Sequence, residues 1–424
     1  MKNDIKLKNL KGTVDYLPTE QILRERVFSV MKNTFEKYGF MPLDSAILCP
    51  FELLASKYAG GAEILKEVYK LKDQGERELG LRYDLTVPFS KVIAGNQNLT
   101  LPFRRYEIGK VFRDGPVKLG RMREFYQCDV DVCGVNGRFV EVEFFLLTLE
   151  IFKKLSLDIE VKWNNRKYLS GIIELAGVEK SLVSKTILTI DKIEKVGKQQ
   201  VEKELLDMGL TNSQIEDVFK FSKLDPSEID ACANETLKEG IEEVLELRAL
   251  TKELGIDDRC IFSSTLARGL EIYTGTVWEI FDRTGKISSS LGGGGRYDKI
   301  IGKFIDDGNE YPAVGMSFGI EPIYVLLENG NKKSNIDVLI FAFDNNADVL
   351  KIATKLREKG LNVVVDYKNK KLKKSLDYAN NERIPFVAIL GEDEIKANKI
   401  MLKDMNNSTQ NLISIEEIFD YIKK

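Results

Sequence analysis

Apolar positions recur every four residues at Leu23, Val27, Met31 and Phe35, predicting an amphipathic helix that opens at an N-cap Thr19 after Pro18 and stops at Tyr38-Gly39. From about Leu79 to Val132 the period shortens to two, which reads as strands joined by turns. Helical spacing returns from Phe139 to Leu155. From about Ser170 to Gly255, apolar residues such as Ile241, Val244, Leu245, Leu250 and Leu254 sit at helical intervals in a charged background. Strand and glycine signals resume from Arg259 to Leu327. Beyond the polar stretch 328–334, three apolar runs at 338–341, 363–365 and 386–390 alternate with helical stretches, predicting a small, mostly parallel α/β domain. The pattern divides the chain into an α+β core in two parts, 1–169 and 257–328, a helical insertion at 170–256 and a terminal α/β domain at 335–424.

Two segments break the usual polarity of a half-solvated strand. Arg104, Arg105, Arg113, Arg121 and Arg123 lie in two strand-like runs joined by a turn at 114–120. Alternation in the second run puts Arg121, Arg123, Phe125, Gln127, Asp129 and Asp131 on one face and Tyr126, Cys128, Val130 and Val132 on the other. In 81–88 the polar parity is Arg82, Asp84 and Thr86, against Leu81, Tyr83, Leu85 and Val87. Arginine grips phosphate oxygens with a planar fork, a ring stacks on a base, and an amide with carboxylates orients an amine. Together these side chains suit a nucleotide beside a small zwitterion.

Composition narrows the chemistry. A net charge of −3 gives no global attraction to nucleic acid or membrane, so any RNA contact must come from local patches. The apolar runs are short of a bilayer span and the first residues lack the apolar core of a secretion signal, so the expected location is the cytoplasm. Five cysteines without C-x-x-C spacing read as reduced and structural. The chain has no histidine, which excludes histidine bases, Ser-His and Cys-His pairs and histidine-ligated metals. A reaction whose nucleophile is already an anion at neutral pH needs none of these, and an amino-acid carboxylate attacking a phosphate is one such reaction.

The segments Leu81-Arg82-Tyr83-Asp84-Leu85-Thr86-Val87-Pro88-Phe89, Phe112-Arg113-Asp114-Gly115-Pro116, Gly120-Arg121-Met122-Arg123-Glu124-Phe125-Tyr126-Gln127 and Leu266-Ala267-Arg268-Gly269-Leu270 with Tyr273-Thr274-Gly275, in this order, resemble the histidyl-tRNA synthetases nearly end to end. The resemblance implies a class II antiparallel sheet flanked by helices, a homodimer and a terminal anticodon-binding domain. It further implies ATP with Mg2+, histidine and tRNA(His) as reactants. It assigns Arg113 to the ATP α-phosphate, Phe125 to adenine, and Arg121 and Glu124 to the rest of the nucleotide site. Asp84, Thr86 and Gln127 would take the substrate amino group, Asp131 and Tyr273 the imidazole, and Arg268 would be the catalytic arginine. From the residues alone, the favoured readings are Arg268 as an ion-pair partner of Glu271 or Glu279 and Tyr273 as core. In the terminal domain Lys368, Lys370, Lys371, Lys373 and Lys374 are candidate tRNA contacts. No metal ligands are identified.

Three positions depart from the family pattern: Pro322 follows Glu321 where an arginine is usual, Ile272 replaces the first tyrosine of a Tyr-Tyr pair, and Ala46 replaces a proline. Arg121, Arg123 or a magnesium ion would then supply the missing charge over the nucleotide. The alternative function is a synthetase-like, histidine-sensing regulatory subunit of ATP phosphoribosyltransferase. Arg268 and the terminal domain speak against it.

Overall fold

The computed structural model describes residues 7–57, 65–96, 98–117, 120–232, 234–268, 272–327, 334–344, 346–368 and 371–423. Its main element is an eight-stranded sheet. The strands are β1 (Met41–Pro42), β5 (Phe103–Phe112), β6 (Glu124–Cys133), β7 (Ile159–Asn165), β8 (Cys260–Phe262), β9 (Thr276–Asp282), β10 (Gly292–Arg296) and β11 (Ala313–Gly319). They lie in the order β1-β5-β6-β11-β10-β9-β7-β8, antiparallel throughout except for the outermost pairs β1/β5 and β7/β8. A three-stranded sheet of β2 (Leu48–Pro50), β3 (Lys70–Lys72) and β4 (Glu78–Leu81) is formed by the segment between β1 and β5, in the order β2-β4-β3.

One face of the large sheet carries the core. Cys128, Val130 and Val132 of β6 pack with Val27, Met31 and Phe35 of the first helix and with Phe144, Phe145 and Ile151 of the helix Phe139–Lys154, all buried. The first helix begins at Pro18, one residue before the expected opening, because proline tolerates the first helical position, whose N–H has no intrahelical acceptor. Between β7 and β8 run the helices Arg166–Leu175, Lys180–Ile190, Ile193–Val196, Lys198–Asp207, Asn212–Phe221 and Glu235–Glu253.

The segment expected to continue as strand after Leu81 does not. β4 ends there, and Thr86–Gly95 is a helix. Asp84 Oδ1 accepts the backbone N–H of Val87 at 3.0 Å, satisfying a first-turn donor, and Pro88 sits in that same turn, where its missing N–H costs nothing. A two-residue alternation over eight positions does not distinguish a strand from a strand end followed by a capped helix.

The chain divides into two compact units, Met1–Asp15 with Arg26–Leu327, and Tyr16–Glu25 with Glu328–Lys424. The sheet of the second holds β12 (Val338–Ala342), β13 (Val363–Val365), β14 (Phe386–Leu390), β15 (Lys399–Asp404) and β16 (Gln410–Ser414), in the order β13-β12-β14-β15-β16. The three expected strands are parallel, but β15 and β16 are antiparallel, so the sheet is mixed. β16 is largely exposed and polar, so it carries no apolar run in the sequence.

Candidate active site

The face of β6 opposite the core carries Gln127, Asp129 and Asp131, and all three are buried rather than solvated. They form the floor of a cavity of about 250 Å³ that is also lined by Asp84, Thr86, Arg113, Arg268, Ile272, Tyr273, Tyr297 and Ser317. Seven of the residues assigned by resemblance therefore meet in one place: Asp84, Thr86, Arg113, Gln127, Asp131, Arg268 and Tyr273.

Strand register explains how distant residues converge. Across the sheet, Glu107, Asp129, Ser317, Gly293 and Glu279 stand opposite one another in a row. The next row is Arg105, Asp131, Gly315, Gly295 and Val277. The glycines are required by what lies above them. A Cβ on Gly293 would collide with the Arg268 guanidinium, one on Gly295 with the Tyr273 ring, and one on Gly315 with the Asp131 carboxylate. The glycine run of β10, Gly292 to Gly295, is thus a strand stripped of side chains so that Arg268 and Tyr273 can lie on it.

The arginines of the hairpin divide by partner. Arg104 leaves the site, pairing with Glu143 at 2.7 Å. Arg105 is fully buried, 2.7 Å from Asp131 and 3.4 Å from Glu107, while Arg82 meets Glu107 at 2.8 Å. Arg82 is therefore a scaffold cation rather than part of a ligand-facing parity. Arg121 pairs with Glu67 at 3.0 Å and Arg123 with Asp114 at 3.3 Å, so each has a carboxylate of its own. Arg113 differs. Its guanidinium lies over the rings of Tyr83, at 4.3 Å, and Phe125, at 5.1 Å, and among the described residues it makes no ion pair. Phe125, Arg121 and Glu124 do not line the cavity, and Glu124 pairs with Lys110.

Arg268 is held loosely, with Glu279 at 3.8 Å, the carbonyl of Trp278 at 3.4 Å and the Tyr273 ring at 5.5 Å. Glu271 lies outside the described residues. Burial works against the charge of Arg268, but Tyr273 and Glu279 outweigh it and strengthen its hold on the proton. Asp131 is engaged on both oxygens, by the Tyr297 hydroxyl and by Arg105. Its carboxyl is nevertheless raised, chiefly by burial. Burial likewise pushes Asp129 up to about 8.

Residues 12–323 match the family model for histidyl-tRNA synthetase, and 336–424 match an anticodon binding domain. Histidine–tRNA ligase 1 of Bacillus cereus is 45% identical over 425 residues, covering 99% of this chain and 100% of the relative. The chain belongs to the histidyl-tRNA synthetase family. Among solved structures, the histidyl-tRNA synthetase of Nostoc sp. PCC 7120 superposes with a TM-score of 0.87 at 28% identity, covering 99% of both chains. An ATP phosphoribosyltransferase regulatory subunit/histidyl-tRNA synthetase from Bacillus halodurans is 19% identical with a TM-score of 0.75, covering 91% of this chain and 98% of that one. That likeness extends to the fold alone, and the regulatory alternative is not favoured. Membership of the family implies ATP, histidine and tRNA(His) as substrates.

Asp129, Tyr297, Ser317 and Glu67 were not assigned from the sequence. Asp129 had a signal, since it shares the parity of Gln127 and Asp131. Tyr297 follows the glycine run and Arg296 directly. Ser317 and Glu67 had none: Ser317 meets Gln127 at 2.7 Å across 190 positions, and Glu67 accepts from both Tyr83 and Arg121. In the terminal unit Lys368, Lys371, Lys373 and Lys374 are exposed around the start of the helix Leu372–Asn381, and Lys370 lies outside the described residues.

Proposed function

We propose that this chain is a histidine–tRNA ligase that condenses histidine with ATP to histidyl-adenylate and pyrophosphate, then transfers the histidyl group to the 3' end of tRNA(His). The observation that carries this reading is Arg113, a stacked guanidinium without a carboxylate partner among the described residues, at a cavity that also holds Arg268 and a polar floor. Arg113 takes the α-phosphate, and Phe125 beside it stacks on the base. Arg268 draws the substrate carboxylate to the phosphorus and stabilises the charge that develops there. Asp84, Thr86 and Gln127 orient the amino group, and Asp131 and Tyr273 flank the imidazole.

Among the described residues no group of three or more Asp, Glu, Cys or His side chains could hold a metal. In this reading magnesium arrives as the counter-ion of ATP. Arg121, close to the hairpin turn and shared with Glu67, is the cation we assign to the outer phosphates in place of an arginine at Pro322. Glu124 completes the nucleotide site.

The remaining assignments follow the same reading. The core comprises 1–169 and 257–328, with 170–256 as a helical insertion and 335–424 as the anticodon-binding domain. The lysines at 368–374 contact tRNA phosphates. The working form is a homodimer in the cytoplasm. Among the described residues no helix is long and apolar enough to cross a membrane.

ATP–pyrophosphate exchange tests the chemistry. Exchange driven by histidine alone and reduced about 10²–10³-fold by Arg268→Ala or Arg113→Ala is expected. Exchange unaffected by either substitution, or absent from wild-type protein, would count against the reading.

A further inference from the structure

Three buried acceptors in the cavity floor have no hydrogen-bond donor among the described residues, Gln127 Oε1, Asp129 Oδ1 and Asp131 Oδ2, and of these Asp131 Oδ2 is ion-paired with Arg105 at 2.7 Å. Gln127 and Asp129 belong to neighbouring positions of one face of β6, two residues apart, and both line the cavity. The Gln127 amide nitrogen donates to Ser317 Oγ at 2.7 Å, while the serine's own proton goes to the Asp129 carboxylate, so Oε1 is the amide atom turned away from the serine. Asp131 differs from Asp129 in that its Oδ1 accepts from Tyr297 and its Oδ2 has the Arg105 guanidinium as an ion-pair partner.

A buried carboxylate oxygen and a buried amide oxygen without donors cost free energy unless a ligand supplies the N–H groups. The ligand group that donates several hydrogen bonds and carries positive charge is an ammonium. Resting on the reading of this cavity as the histidine pocket, we propose that Asp129 is a substrate-binding residue which, together with Gln127, accepts hydrogen bonds from the α-ammonium group of histidine. Asp131 and Tyr297 then serve the ring end of the pocket.

The surroundings agree with this placement. Asp129 stands in the same cross-sheet row as Gly293, over which Arg268 lies, so the ammonium and the carboxylate of one amino acid would meet Asp129 and Arg268 respectively. An ammonium in contact also favours the ionised carboxyl over the protonated one. The groups acting on Asp129 are Arg105, Asp131, Ser317 and Asp84, and Asp129 in turn acts on Arg268 and Tyr273.

The test compares equilibrium binding of histidine and of 3-(imidazol-4-yl)propanoate, the same molecule without its amino group, to full-length wild-type protein, Asp129→Asn and Gln127→Ala. Loss of a charge-assisted hydrogen bond should weaken histidine roughly 10- to 100-fold in Asp129→Asn, and less in Gln127→Ala, with the des-amino compound within about two-fold of wild type in both. Retained binding of the des-amino compound also shows that the variants are folded. Equal losses for the two ligands would overturn the proposal, because Asp129 would then serve the ring or the pocket's shape. Unchanged histidine affinity would overturn it as well. Wild-type protein that binds no histidine would overturn the pocket reading, and this proposal with it.

Discussion

At the scale of single residues, the site is decided by which charges have partners. Five arginines in one hairpin looked alike in the sequence, yet Arg104, Arg105, Arg121 and Arg123 each meet a carboxylate. Among the described residues Arg113 alone of the five makes no ion pair, stacking instead on Tyr83 and Phe125. Asp129 leads to a prediction about stability. Burial lifts its carboxyl to about 8, helped by Asp131 and Asp84 and opposed by Arg105 and Ser317. A native pKa above the unfolded value of roughly 3.9 gives a contribution to stability that is complete below that value and is lost as pH rises through 8. Asp129→Asn keeps the shape without the titration. Urea midpoints should therefore favour the variant over wild type increasingly between pH 5 and pH 9; parallel pH profiles would refute the assignment. The parity of Asp129 was legible in the sequence, but its burial was not, since alternation separates two faces without saying whether the polar one meets water or a cavity.

At the scale of elements, the legible parts were those with strong local signals. The stripe Val27, Met31, Phe35 and the strand parity of 124–133 both reappear in the core. The helix Thr86–Gly95 departs from the strand expected there because its start is marked by one side chain, Asp84, bonding one N–H rather than by a periodic pattern. The helix Leu372–Asn381 raises a different point. Lys371, Lys373 and Lys374 crowd its N-terminal end, where the macrodipole is already positive, so they gain nothing locally by standing there. Both the exposed backbone N–H groups and the lysines suit a phosphate. Replacing Lys371, Lys373 and Lys374 by glutamine should weaken tRNA binding and flatten the dependence of log affinity on log salt by about one for each phosphate no longer neutralised. Histidine-dependent pyrophosphate exchange should persist. An unchanged salt slope in filter binding would remove these lysines from the interface.

At the scale of the whole molecule, the first unit leaves the apolar side chains of Met41 in β1, Ile47, and Leu48 in β2 exposed at 66%, 42% and 50%, within eight positions of one another in the chain. A second copy of the chain is the occupant expected there. Sedimentation equilibrium should give a dimer that Leu48→Glu shifts toward monomer; a monomeric wild type would refute it. The chain's own order of residues determined much of this protein: helical and strand periods, the break near 328–334, the absence of histidine, and the ordered segments by which the family is recognised. These are local properties, set by backbone period and side-chain chemistry within a few positions. Only the tertiary structure decided that Asp129 is buried with an oxygen that lacks a donor among the described residues, that Asp131 belongs to Arg105 and Tyr297, and that Gly293, Gly295 and Gly315 clear space for Arg268, Tyr273 and Asp131. Each of those facts depends on register across strands far apart in sequence. Charge pairing and desolvation act through space, so they are settled only once the sheet has brought their partners together.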